Sequence, residues 1–234
     1  MGPTVLLLHA FPAGREMWEP QLEALGAYDV QTPSLIGRGD SIDGWAEQLL
    51  AENAGDLIPV GASMGGYCAL AVAKRAPERV RGLALVGSHA SADPPEGRAW
   101  RDESIARVRE HGPLAQWHAM REYALGSAAG SPAAERLGES IARHDPDGVV
   151  EELEAMMARP DTTDVVRALR CPFLAIAGEH DQGVIEASRR LVELAPDGEL
   201  VIVPGANHLV SFQRPDLVNP VLLGFLARCT GDGA

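Results

Sequence analysis

The sequence predicts an α/β fold: a doubly wound, mostly parallel sheet of about six strands with a helical insertion over it. Short apolar runs alternate with longer amphipathic stretches, the pattern of strands followed by crossover helices. The strand-like runs are continuously apolar rather than alternating, which suits strands covered on both faces. One long stretch, 88–164, holds no convincing strand and reads as helices separated by Gly and Pro.

Thr4–His9 (TVLLLH) is the first buried strand, and Asp29–Pro33 a weaker second. Ile42–Glu52 has helical periodicity. Asp56–Ala62 (DLIPVGA) reads as the third strand, although Pro59 removes a ladder donor from a central position. Gly65–Arg75 is a helix stopped by Pro77, and Leu83–Val86 a fourth strand. Helices follow over about Arg98–Glu110, Leu114–Leu125, Pro132–Arg143 and Gly148–Ala158. Phe173–Ala177 and Leu200–Val203 complete the strands; Val184–Leu194, stopped before Pro196, and Leu217–Ala227 complete the helices. Residues 1–87 and 165–234 therefore form a core, with 88–164 an inserted lid over a site; the alternative is that these helices simply extend the core.

A chain of 234 residues fits one domain with a modest insertion. The net charge of −13 argues against a nucleic-acid partner, because phosphate binding needs a positive surface. Met1–Leu8 has neither a basic n-region nor a long apolar run, so no signal peptide or membrane anchor is expected there. The three cysteines, Cys68, Cys171 and Cys229, fit neither a zinc site nor a CxxC pair, and read as reduced thiols of a cytoplasmic protein. No two histidines have metal-ligand spacing, so neither metal nor cofactor is expected.

Gly61-Ala62-Ser63-Met64-Gly65-Gly66 contains G-x-S-x-G between a predicted strand and a predicted helix. A nucleophile held at such a sharp turn needs small residues two before and two after it. A serine hydroxyl also needs a base within hydrogen-bond reach, and the base an orienting acid. Asp181 follows the Phe173–Ala177 strand in Gly178-Glu179-His180-Asp181, and Glu179 remains an alternative. Of the seven histidines, His208 alone follows the last strand. His9 reads as structural, and His89, after the fourth strand, as a possible pocket residue. Both Asp181 and His208 fall past the carboxyl ends of strands, where open parallel sheets bind ligands. The N–H groups of Met64 and of Phe11, in His9-Ala10-Phe11-Pro12, are the candidate oxyanion donors. Trp117, Met120, Tyr123 and Met156, with Leu209, are candidates for an apolar pocket wall.

Together these segments resemble the α/β-hydrolase superfamily from Thr4 to about Ala227. HAFP is similar to the family's H-G-x-P loop, with Ala10 in place of glycine. Ser34–Ser41 is similar to its D-x-x-G-x-G-x-S loop, with Ser34 in place of the aspartate. GASMGG, GEHD and PGANH resemble its elbow, acid and histidine loops. Only three residues precede Thr4, so the resemblance implies a core lacking the family's first antiparallel strands. Within the superfamily, Asp145–Asp181 resembles the 3-oxoadipate enol-lactonase and small carboxylesterase branch.

The resemblance implies a serine hydrolase acting on a small carboxylic ester or lactone through an acyl-enzyme. A lactonase with a carboxylate-bearing substrate needs a basic pocket residue, for which Arg101 and Arg121 are candidates. The same three residues also serve carbon–carbon bond hydrolysis, elimination, perhydrolysis or thioester hydrolysis in related folds. A ligand-binding protein on a hydrolase scaffold is a third reading, because fold does not dictate function. The sequence leaves the oligomeric state open.

Overall fold

The computed structural model describes residues 2–231. Six strands are found: β1 Thr4–Leu8, β2 Val30–Gln31, β3 Leu57–Ala62, β4 Leu83–Val86, β5 Phe173–Gly178 and β6 Gly198–Val203. They form one sheet in the order β2-β1-β3-β4-β5-β6, and every pair is parallel. The helices are α1 Glu19–Leu22, α2 Ile42–Glu52, α3 Met64–Arg75, α4 Pro95–Leu125, α5 Pro132–Ile141, α6 Pro146–Ala158, α7 Thr163–Arg167, α8 Gln182–Leu194, α9 Val210–Gln213 and α10 Pro215–Thr230. Among the described residues no helix is long and apolar enough to cross a membrane.

The continuous apolar runs are explained by two cores, one on each face. Leu6, Leu8, Leu83, Leu85, Phe173 and Ala175 point to a core shared with Trp45 and Leu49 of α2 and Leu70 of α3. Val5, Leu7, Ala84, Val86, Leu174 and Ile176 point the opposite way, to Val218, Leu222 and Phe225 of α10. Successive strand side chains face opposite sides, so a strand covered on both must be apolar throughout.

Pro59 stands inside β3, a central strand. Leu57 makes both of its backbone bonds, to Arg79 and Arg81, on the β4 side. Alternation puts the missing N–H of Pro59 on that same side. It falls between the isolated Leu57–Val80 bridge and the first β4 pair, Val60–Ala84, where the ladder is interrupted.

Helices α4 to α7 fill the chain between β4 and β5. The two predicted helices 98–110 and 114–125 are one element broken at Gly112, whose φ is 79°, ahead of Pro113. Ser131 and Asp145 cap α5 and α6 by accepting the N–H groups of Ala134 and Gly148. Glu152 of α6 is wholly buried, and neither of its carboxyl oxygens has a hydrogen-bond partner among the described residues. Burial pushes its pKa well above the usual carboxylate range, so it is held as the neutral acid.

That burial has a signed consequence for stability. Above the ordinary carboxyl pKa the unfolded chain releases the Glu152 proton and the folded chain keeps it, so this group removes stability as pH rises. Glu152→Gln is therefore expected to raise the thermal midpoint at pH 7–8, by about 2–4 °C for each kcal/mol gained in a chain of this size. The gap to wild type is expected to shrink as pH falls toward 4.5. Calorimetry across this range checks both; a gap independent of pH contradicts the neutral buried acid.

Candidate active site

The parallel sheet ends its strands at one edge, and the predicted residues meet there. Ser63 joins β3 to α3 with φ 47° and ψ −111°, the one non-glycine residue with positive φ among those described. Such a conformation is strained for a residue with a Cβ and persists only where its surroundings impose it. The turn is possible because Gly61 and Gly65 lack side chains. A Cβ on Gly61 would stand 2.3 Å from the Gly65 carbonyl oxygen, and one on Gly65 2.2 Å from that of Leu8. The Ser63 N–H donates to Val86 C=O, and its own C=O accepts from Gly66 N–H and from the Ser88 hydroxyl. The serine is thus fixed on both sides.

His208 lies 145 residues on, in the loop after β6, with Nε2 2.8 Å from Ser63 Oγ. Its Nδ1 is 2.6 Å from Asp181 Oδ2. Asp181 follows β5 and also caps α8, where Oδ1 accepts the Val184 N–H. Burial works against the Asp181 charge, yet the bonds from His208, Val184 N–H and Tyr123 outweigh it and hold the carboxyl below its ordinary range. An ionised Asp181 can only accept, so Nδ1 carries the hydrogen and the Nε2 lone pair faces the serine hydroxyl. Glu179, the alternative acid, instead accepts Gly205 N–H.

The histidine loop is tied to the end of α4. Leu209 N–H donates to Ala124 C=O, and the Gln213 side chain links Leu125 C=O to Asn207 N–H. The Tyr123 hydroxyl lies 3.4 Å from Asp181 Oδ2 and 3.1 Å from His208 Nδ1, with its ring tilted against the imidazole.

The loop after β1 supplies the other wall. His9 is buried, and burial lowers its pKa to about 4, so it is neutral. Its Nε2 accepts Leu35 N–H at 2.8 Å, leaving Nδ1 to donate to Ala10 C=O. It therefore fastens this loop to the Ser34–Ser41 loop. Phe11 faces the cavity, and its N–H makes no hydrogen bond among the described residues. Met64 is the first residue of α3, where N–H groups have no acceptor within the helix. His144, after α5, reaches Pro12 C=O and Glu16 from the helical insertion.

Ser63 and His208 open into a cavity of about 350 Å³. Met120, Tyr123 and Met156 line it, and so does Arg101. Trp117 and Leu209 do not. Three residues turn a helix 60° short of a full circle, so Trp117 lies about 120° round α4 from Tyr123, and it is buried with Leu137 and Ile141. Leu209 directs its side chain into the same core, away from its neighbour His208. Arg121 pairs with Glu135 at the surface. Tyr67 and Trp100 line the cavity without having been singled out in the sequence. Tyr67 had a readable signal: it lies one turn beyond Ser63 on α3.

This geometry can be set beside known proteins. Residues 5–221 match the model of the alpha/beta hydrolase family. An esterase from Thermogutta terrifontis, solved with malate bound, is 30% identical; the match covers 98% of this chain and 91% of that one, with a TM-score of 0.88. A Caulobacter protein (strain K31), provisionally named the carbamate hydrolase RutD, is 27% identical across 96% of this chain and 90% of its own. The enol-lactonase of Burkholderia xenovorans LB400 is 23% identical with a TM-score of 0.83, covering 97% and 92% of the two chains, a likeness of fold. An all-parallel six-stranded sheet, a serine elbow at its carboxyl edge and a family match across nearly the whole sequence agree: the chain belongs to the alpha/beta hydrolase family.

Proposed function

We propose that the protein is a serine hydrolase that cleaves a small carboxylic ester or lactone through an acyl-enzyme. The observation that carries this reading is the continuous hydrogen-bonded chain from Asp181 through His208 to Ser63, opening into a cavity of about 350 Å³. Ser63 Oγ attacks the carbonyl carbon as its proton passes to His208 Nε2. Asp181 holds the imidazole in the tautomer that can accept this proton, and stabilises the cation that results. In this scheme negative charge gathers on the carbonyl oxygen, and the N–H groups of Met64 and Phe11 donate to it. His208 then gives its proton to the leaving alcohol. Water enters, loses a proton to His208 and attacks the acyl carbon, restoring Ser63.

The likeness to the Thermogutta esterase, 30% identical, supports ester chemistry. The cavity's modest volume and its methionine wall suit a compact substrate. The segment 88–164 acts in this scheme as a cover, with Met120, Tyr123 and Met156 on the cavity wall.

Hydrolysis of p-nitrophenyl acetate and butyrate, and of γ-butyrolactone, tests the scheme. Ser63→Ala is expected to lower kcat on any ester turned over by about 10³-fold or more, with the folded structure intact. Activity that survives Ser63→Ala contradicts the assignment. Asp181→Asn is expected to cost about as much, since it favours the wrong tautomer. Tyr123→Phe removes one donor to a carboxylate that keeps two others. A fall in kcat of less than about tenfold with a nearly unchanged KM is expected, read from full saturation curves; a loss as large as that of Asp181→Asn contradicts a supporting role for the phenol.

A further inference from the structure

The Ser63 cavity has a neighbour behind one of its walls. Tyr67 lines the Ser63 cavity, and it also lines a second cavity of about 90 Å³ between α3, α6 and the start of α2. Met156 of α6 faces the first cavity, whereas Ala155, Ala158 and Arg159 face the second. Small side chains leave the second space open: Ala155 and Ala158 on α6, and Ala71, one turn beyond Tyr67 on α3. A single water-sized group needs about 10–15 Å³, so this space admits several methylene groups.

The Tyr67 ring between them is held at its hydroxyl and across one face. His89 Nδ1 accepts Ser91 N–H at 3.2 Å, which puts the ring hydrogen on Nε2, and Nε2 donates to the Tyr67 hydroxyl oxygen at 3.0 Å. The tyrosine and histidine rings meet edge to face, with centroids 5.2 Å apart. The Arg159 guanidinium lies 3.8 Å over the Tyr67 ring. Arg159 is in turn fixed by Asp93, Met156 C=O and Ser91 C=O. Swinging the ring aside would break its hydrogen bond and its cation–π contact together.

We propose that Tyr67 is a specificity-determining residue: its clamped ring closes the Ser63 cavity toward the second one and so limits the length of the substrate's carbon chain. The inference rests on the esterase reading and adds to it the residue that selects short chains. Tyr67 is four residues from Ser63 on α3, a rise of about 6 Å. An extended chain advances about 1.2 Å per bond, so an unbranched chain running from the ester toward Tyr67 meets the ring after about five bonds. Removing the ring joins the two spaces, and each methylene that enters gains up to about fourfold in binding.

Two chain-length series test this. p-Nitrophenyl esters from acetate to octanoate lengthen the acyl side, and acetates of n-alkanols from ethanol to octanol lengthen the alcohol side. In one series the wild-type kcat/KM is expected to stop rising near the length that reaches Tyr67. Tyr67→Ala is expected to move that break by two or more methylenes, raising the ratio of the longest to a short substrate by about tenfold or more. Tyr67→Phe keeps the ring and is expected to keep the break. Adding Ala71→Met to Tyr67→Ala refills the second cavity and is expected to bring the break back. Calorimetric binding of n-butanol to n-octanol by the Ser63→Ala protein, with and without the Tyr67 changes, needs no turnover. It decides the role of Tyr67 even if no ester is cleaved, an outcome that would count against the esterase reading alone. A break that moves in Tyr67→Ala and returns with Ala71→Met supports the proposal. A break that stays put in both ester series and in alcohol binding, or one that moves and ignores Ala71→Met, overturns it. Should Tyr67→Ala not fold, Tyr67→Leu carries the same comparison.

Discussion

The arrangement depends on one backbone position, Ser63, held at a φ of 47° between β3 and α3. Nothing local favours that conformation in a serine. It is imposed by a central strand bonded to neighbours on both sides, by a helix pressed against β1, and by the absence of side chains at Gly61 and Gly65. The strain has a use. It carries the hydroxyl at the sheet's edge, within 2.8 Å of His208 Nε2. Everything else at the site is arranged around an atom whose place is set by sheet packing.

His208 and Asp181 reach that atom from loops after β6 and β5, so the order of strands brings together residues far apart in sequence. The helical insertion is bound into the same structure. Backbone and side-chain bonds join residues 124–125 to residues 207, 209 and 213, and His144 reaches the loop after β1. The element that supplies Met120 and Tyr123 to the cavity also braces the loop carrying His208.

Much of this was legible in the sequence because it rests on local rules. The two-sided burial of a parallel sheet makes strands continuously apolar, and Gly61-x-Ser63-x-Gly65 records the steric need of the turn. Short pieces were less legible. The four- and five-residue helices α1, α7 and α9 are too brief to show a period. β6 begins at Gly198, earlier than its apolar run, because an edge strand carries exposed polar residues. The pocket wall was the hardest to read. Trp117 and Met120 share one apolar helix, and only the rotation of α4 in the fold sends one into the core and the other to the cavity. Arg101 was visible as a charge, but only the fold shows that it lines the cavity and pairs with Asp93.

The central claim is that Ser63 is a nucleophile activated by His208. Its most direct test is covalent capture with a fluorophosphonate, followed by peptide mass spectrometry of wild type and His208→Ala. A stoichiometric adduct on Ser63 in the wild type, formed at least about 10²-fold more slowly without the imidazole, is the expected result. An adduct on another residue, no adduct on the folded protein, or labelling of Ser63 at an unchanged rate in His208→Ala contradicts it.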